Sequence, residues 1–242
     1  VADNTIVIYT TDNGAQKASW PDGGSSPFHG EKGSSFEGGH RVPLLVKWPG
    51  SLKPGSRSNN MIAHNDWMPT LAAAAGLPNL REDLAKGTTL NGKAFKVHLD
   101  GYNFLPFFKG EVPDSPREEY FYFGMGGELN AVRWRDWKVS FANVEGPVAS
   151  GSRKVSNLPV ITNLKADPFE TAPYESRMYA RWMGDQIWLL VPIQDKIQKF
   201  VATLGQFPFQ EGVNLNPSNI NYQTLKAASV MKQMQALKPT SN

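Results

Sequence analysis

Apolar positions along the chain follow three patterns. Near the start they are unbroken. Thr5-Ile6-Val7-Ile8-Tyr9-Thr10 is β-branched or aromatic throughout and leaves no consistently polar face. That run predicts a strand buried on both faces of a parallel sheet, ended by the turn at Asp12-Asn13-Gly14. Val42 to Trp48, mostly apolar and closed by Pro49-Gly50, predicts a second strand of the same kind. A helical pattern follows at Trp67 to Ala75, with Asp66 as its cap, Pro69 in the first turn and Gly76 at its end. Leu80 to Asp100 reads as a polar, Gly-punctuated connector in which Lys96 to Leu99 pairs as a strand and His98 is an exposed strand residue.

From Glu119 the period changes to two. Tyr120 to Phe123 predicts a strand, and Ala131 to Arg135 with Trp137 to Phe141 predicts a hairpin turning at Arg135-Asp136. Its core residues are Val132, Trp134, Trp137 and Val139, and residues 143–158 read as a Gly, Ser and Pro-rich loop. Met178 to Phe200 then carries Trp182, Ile187, Leu190, Ile193, Ile197 and Phe200 on one helical face, bent at Pro192. Trp188, Leu189 and Val191 make that helix apolar on more than one side. A terminal helix is expected over residues 222–237.

Composition narrows the classes of partner. At 242 residues the chain holds one or two cores. Net charge is +3 with Lys and Arg scattered, so nucleic acid is not an expected partner, whereas an anionic substrate suits the balance. No apolar stretch approaches the roughly 18 residues of a membrane span. There is no cysteine from which to read a redox compartment.

Two short phrases carry candidate chemistry. Asp12 and Asn13 stand beyond the carboxyl end of the first predicted strand, where open α/β sheets bind ligands, and their oxygens suit a hard cation such as calcium or magnesium. Asp-Asn-Gly is also a good turn in its own right. An EF-hand is excluded, because counting Asp12 as its first position puts Gly14 and Gly23 where carboxylates are required. The second phrase is Gly30-Glu31-Lys32-Gly33, in a loop between the two predicted core strands. An ammonium there suits a tetrahedral oxyanion, although a lone loop lysine is ordinarily a solvated one.

Taken together and in order, these phrases resemble the type I sulfatases of the alkaline-phosphatase-like superfamily, and bacterial arylsulfatases in particular. The resemblance continues through Phe36-Glu37-Gly38-Gly39-His40-Arg41-Val42-Pro43, His64-Asn65-Asp66-Trp67-Met68-Pro69-Thr70-Leu71, Val97-His98-Leu99-Asp100-Gly101-Tyr102-Asn103 and Asn163 to Glu170. It implies an α/β fold: the last strands of an alkaline-phosphatase-like central sheet, then a small antiparallel sheet with packed C-terminal helices. It divides the chain into residues 1–110, part of the catalytic α/β domain, and 111–242, a C-terminal antiparallel-sheet subdomain. It implies hydrolysis of sulfate monoesters, with Asp12 and Asn13 as ligands of Ca2+ (Mg2+ as the substitute) and Lys32 as the catalytic and substrate-contacting lysine. His64, just ahead of the Trp67 helix, reads either as facing the substrate pocket or, the commoner case, as a structural histidine bonded to nearby backbone.

The same resemblance implies a formylglycine nucleophile made from Cys or Ser in a Cys/Ser-x-Pro-x-Arg motif, and this sequence has neither form of it. The chain is therefore expected to be the carboxyl-terminal portion of a sulfatase, inactive alone, whose partners are the amino-terminal portion of the same protein and a small sulfate ester or sulfated glycan. No membrane partner is expected, and the implied location is periplasmic or secreted. Physical reasoning leads to the same expectation, because two doubly buried strands do not form a stable sheet unaided. The competing readings are a phosphonate or phosphate monoester hydrolase of the same superfamily and a non-catalytic binding or structural subunit. One departure from the pattern is His29, where such arylsulfatases often have Arg before Gly-Glu-Lys.

Overall fold

The computed structural model describes residues 1–17, 24–124, 126–147 and 150–208. The period-two region builds its main sheet. Strands β5 (Glu119–Phe123), β6 (Leu129–Trp134), β7 (Trp137–Glu145) and β8 (Ser152–Asn163) run antiparallel in sequence order. The β6–β7 turn falls at Arg135-Asp136 as expected, and Arg135 takes a left-handed backbone, φ 55°.

Alternation gives this sheet two different faces. One carries Phe121, Val132, Trp134, Trp137, Val139 and Ile161, which pack against Leu189, Ile193 and Ile197. The other carries Tyr122, Arg133, Lys138 and Ser140 and meets the loop after Gly30. Trp134 and Trp137 are thus packing residues, with Trp137 stacked on Trp182 at 6.1 Å.

The helical layer on the apolar face is interrupted where one helix was expected. It consists of α6 (Tyr179–Asp185), a single 3-10 turn at Ile187–Leu189, and α7 (Leu190–Gln206). Pro192 lies in the first turn of α7, where its missing N–H costs no helical bond. The earlier helix ends just beyond Gly184. Ile187, Trp188 and Val191 point outward and are exposed.

Three further expectations are corrected. Residues 143–158 are not a loop. β7 runs to Glu145 and pairs with β8 from Ser152, because within 143–158 the turn-forming Gly and Pro are confined to residues 146–151 and strand pairing continues on either side of them. Leu80 to Asp100 is not a plain connector, since Leu80 and Leu84 bury one side of α3 (Leu80–Lys86), followed by the hairpin β3 (Thr88–Leu90) and β4 (Lys93–Phe95). The strand therefore lies just before Lys96 to Leu99, and His98 is half-buried with Nε2 3.3 Å from the Asp100 carboxylate.

The amino-terminal pair differs most from expectation. β1 (Val7–Thr10) and β2 (Leu44–Lys47) pair antiparallel, with Val7 opposite Lys47 and Thr10 opposite Leu44. A parallel pair requires a crossover, usually a full helix. Among the described residues between the strands the only helix is α1 (Glu37–His40), a single turn. Nor is the pair doubly buried among the described residues, since Tyr9 and Leu45 are each 60% exposed. The expected helix 222–237 lies outside the described residues.

Candidate functional site

The segment after β1 turns sharply at Asp12-Asn13-Gly14, and backbone hydrogen bonds tie it to the Lys32 loop. Gly14 N–H donates to the Gly39 carbonyl and Lys32 N–H donates to the Ala15 carbonyl, each at 3.0 Å. These contacts require glycine. A Cβ on Gly14 would lie 1.8 Å from the Gly38 carbonyl oxygen, and one on Gly38 would lie 2.4 Å from that of His29. The glycines of the two phrases are thus the reason the phrases touch.

His64 joins them from the turn before α2 (Trp67–Ala74), its Nε2 2.8 Å from the Thr11 carbonyl oxygen. Asp12, Asn13 and His64 thus adjoin one turn, and the backbone N–H of Lys32 ties its loop to Ala15 just beyond that turn. Asp12 is exposed and Asn13 half-buried, with the Asn13 amide N–H bonded to the Gly14 carbonyl at 2.9 Å. That amide geometry leaves the Asn13 Oδ1 and the Asp12 carboxylate as two neighbouring hard oxygen donors. Among the described residues no cluster of three or more His, Cys, Asp or Glu forms a metal site by itself. The pair fits part of a hard-cation shell and does not make a whole one.

Lys32 occupies the centre of a closed turn. Ser34 N–H donates to the Glu31 carbonyl at 2.9 Å, the Ser34 hydroxyl donates to the same carbonyl at 2.7 Å, and Glu31 N–H returns to Ser34 Oγ at 3.1 Å. Gly30 and Gly33 supply left-handed backbone at φ 80° and 86°. Glu31 also holds the other strand of the loop, accepting from Lys17 N–H at 2.9 Å. His29, the departure from the arylsulfatase pattern, stacks on Phe36 at 3.9 Å between centroids and meets the edge of Tyr174, so it serves as a packing residue of the loop base.

Below this loop lies a buried polar network that pattern reasoning missed. Lys138 is fully buried. Its ammonium donates to the Ser35 carbonyl at 2.7 Å and lies 2.8 Å from Glu170 and 3.4 Å from Glu37. Tyr122 donates its hydroxyl to Glu37 at 2.6 Å, and Glu37 N–H donates to Glu170 at 2.6 Å. Arg133 and Arg41 approach Glu37 at 3.5 and 3.7 Å. Burial pushes the Glu37 carboxyl up, but Lys138, Tyr122 and the two arginines outweigh it and hold the group below its ordinary range. Glu170 behaves oppositely: burial outweighs Lys138, and its carboxyl sits above the ordinary range. Burial, with help from Lys138, drives His40 down to about 4, and burial beside Glu37 raises Tyr122. The polar positions of β5 and β7 were the available signal, since Lys138 alternates with Trp137 and Val139 in a strand whose two faces both proved buried.

A second missed pairing lies under His64. The Asp66 carboxylate does not cap α2. It accepts Ala63 N–H and Tyr102 N–H, both at 2.7 Å, and takes both Nε (2.8 Å) and Nη2 (2.6 Å) of Arg117. Both side chains are buried, so the fork-to-carboxylate geometry is desolvated and strong. Beside it opens a cleft of about 590 Å3 lined by His64, Arg81, His98, Tyr102, Lys196 and Phe200 among others. Burial and the bond donated to Glu119 push the Tyr102 phenol up to about 12. Asp12, Asn13 and Lys32 do not line this cleft, so the candidate site rests on loop geometry and not on cavity volume.

Residues 1–77, which contain the two loops and His64, match the sulfatase family model. The chain belongs to the sulfatase family. Its sulfatase relatives include human arylsulfatase A, 36% identical over 185 residues, covering 69% of this chain and 33% of the relative. Human N-acetylgalactosamine-6-sulfatase is 33% identical over 191 residues, covering 72% and 34%. Among solved structures, the PsFucS1 sulfatase from Pseudoalteromonas sp. superposes with a TM-score of 0.69 at 25% identity, covering 87% of this chain and 39% of that one. The chain therefore spans about a third of the length of the curated relatives it matches. That sulfatase match accords with the α/β architecture expected from sequence, an antiparallel sheet with packed helices following the site-bearing strands.

Proposed function

We propose that this chain forms the carboxyl-terminal part of a sulfuric ester hydrolase of arylsulfatase type, acting on a small sulfate ester or a sulfated glycan. The observation that carries the reading is the pair of backbone bonds joining the Asp12–Asn13 turn to the Lys32 loop, which puts a hard-oxygen pair and an ammonium on adjoining loops. A carboxylate and an amide oxygen hold one side of a divalent cation, calcium by preference. Such a cation, when bound, supplies Lewis-acid polarisation of an oxyanion. Lys32 offsets the negative charge of the sulfate ester oxygens, and the closed turn fixes the backbone from which its side chain extends. His64, bonded to the Thr11 carbonyl, borders the turn on the side proposed for the substrate. The nucleophile, a formylglycine, is proposed to come from an amino-terminal portion of the same protein.

The test is turnover of 4-nitrophenyl sulfate by the polypeptide joining this chain to that amino-terminal portion. Lys32→Met is expected to lower kcat/KM by about 10²–10³-fold, the usual loss for removal of one charge-stabilising donor. Asp12→Ala is expected to raise the calcium concentration needed for half-maximal rate. Turnover of 4-nitrophenyl phosphate equal to that of the sulfate ester would replace this reading with the phosphate-ester one. Full activity of Lys32→Met would remove Lys32 from the site.

A further inference from the structure

The Glu37–Lys138–Glu170 network sits three to five residues downstream of Lys32 on one side and on a different subregion of the fold on the other. Ser35 is gripped twice, its carbonyl by Lys138 Nζ at 2.7 Å and its hydroxyl by Asn130 Nδ2 at 2.8 Å. Glu37 is gripped by Tyr122, Lys138 and Arg133 from three strands and by Glu170 through its own N–H. Glu170 itself holds a left-handed backbone at φ 55°, a conformation that costs free energy for a residue with a Cβ and persists only when its surroundings fix it. Five side chains, Lys138, Asn130, Tyr122, Arg133 and Glu170, thus converge on residues 35–37, while the turn around Lys32 is closed by Ser34, by the bond from Lys32 N–H to Ala15 and by that from Lys17 N–H to Glu31. A hydrophobic anchor would have filled the same space. A charged one fixes direction as well, because each donor and acceptor accepts a single geometry.

We infer that Lys138 is a positioning residue: through Ser35 and Glu37 the polar face of the β5–β8 sheet sets the position of the Lys32 loop against the Asp12–Asn13 turn. This deepens the sulfate-site reading above and rests on it for its functional meaning, while the structural coupling stands on the contacts alone. The chain of contacts runs Lys138 to Ser35 carbonyl, Ser35 to the Ser34 turn, and that turn to Lys32 and Ala15. Without the ammonium, Glu170 would lose its cationic partner, Glu37 would keep only the more distant arginines, and the two carboxylates would separate, releasing the loop.

Amide hydrogen exchange on the chain bearing Lys138→Met reads this directly. The amides of Gly14, Lys32 and Gly38 are expected to exchange on the order of a hundredfold faster than in the unsubstituted chain, while Val139, Ile161 and the α7 amides keep their rates. Unchanged loop amides, or a uniform acceleration across β6–β8 and α7, would overturn the inference. If Lys138→Met fails to fold, Tyr122→Phe, which removes one hydroxyl bond to Glu37 and no packing volume, is expected to give the same loop-only pattern at smaller amplitude. Its absence there would count equally against the inference. A second readout uses 13C-dimethylated lysines titrated with sodium sulfate against sodium chloride. Lys32 is expected to shift with sulfate in the unsubstituted chain, to bind it about tenfold or more weakly in Lys138→Met, and to recover in Lys138→Arg. A Lys32 signal indifferent to sulfate in the unsubstituted chain, alongside a loop-only exchange pattern, would sink the sulfate-site reading and leave the positioning role standing.

Discussion

Single residues carry the sharpest predictions where a charge is buried with one partner. Asp66 and Arg117 form a two-point ion pair that closes the base of His64. Arg117→Met leaves the Asp66 carboxylate in the interior with only two N–H donors, and stability should fall by about 3–5 kcal/mol in urea denaturation. A loss under about 1 kcal/mol would show that the pair is solvated in practice. Gly14 is the second such position. Gly14→Ala sets a methyl against backbone oxygen that cannot swing aside, so a cost of about 1–3 kcal/mol and displacement of the Asp12 turn are expected, visible as shifted amide resonances at residues 12–15 and 38–39. Such positions were partly legible in sequence. Asp12, Asn13 and Lys32 stood out as oxygen and ammonium donors near glycines, but Asp66 looked like a helix cap because its partner lies 51 residues away.

At the scale of elements, α7 tests how the helical layer is held. Ile193 is buried against Val132, Val139 and Ile161, whereas Trp188 and Val191 look outward. Ile193→Ala should cost about 2–5 kcal/mol through lost burial and the cavity left behind. Val191→Ala, two residues away on the exposed side, should stay within about 0.5 kcal/mol, and thermal unfolding of the two variants separates the faces. Equal losses would mean that the outward face is covered as well. Spacing gave most of the helical face, Trp182, Leu190, Ile193 and Ile197, but placed Ile187 inward where Leu189 is buried instead, because the chain turns between α6 and α7. The break between α6 and α7 was less readable, because Gly184 weakens a helix without ending it and Pro192, expected as a bend within one helix, stands in the first turn of the next. The antiparallel pairing of β1 and β2 was not readable at all, since an apolar run does not state the direction of its partner.

For the whole molecule, the buried network makes stability depend on pH in a defined direction. His40 lies between Lys138, Glu37, Tyr120 and Tyr122 and is neutral in the fold, its proton affinity reduced to about 4 from an ordinary 6.5. Between those values the unfolded chain binds a proton that the folded chain does not. Stability is therefore complete above about pH 6.5 and falls by up to about 3 kcal/mol as pH drops toward 4. Glu37, held below its ordinary range, adds to the acid loss, and Glu170, held above it, opposes it. Urea unfolding at pH 7.5 and 4.5 measures the sum, and His40→Gln should flatten the His40 share. A slope of the same size in His40→Gln would assign the acid sensitivity elsewhere.

The sequence by itself determined the chemistry-bearing loops, the period-two sheet with its turn at Arg135-Asp136, and the sulfatase resemblance, because turns, alternation and short motifs are local and each needs only a few neighbouring residues. Tertiary structure decided the rest. Which way β2 runs, and that Glu37, Lys138 and Glu170 meet beneath Lys32, are settled by partners roughly 30 to 130 residues apart, where pairing direction and burial of charge depend on the whole packed chain and leave no local trace.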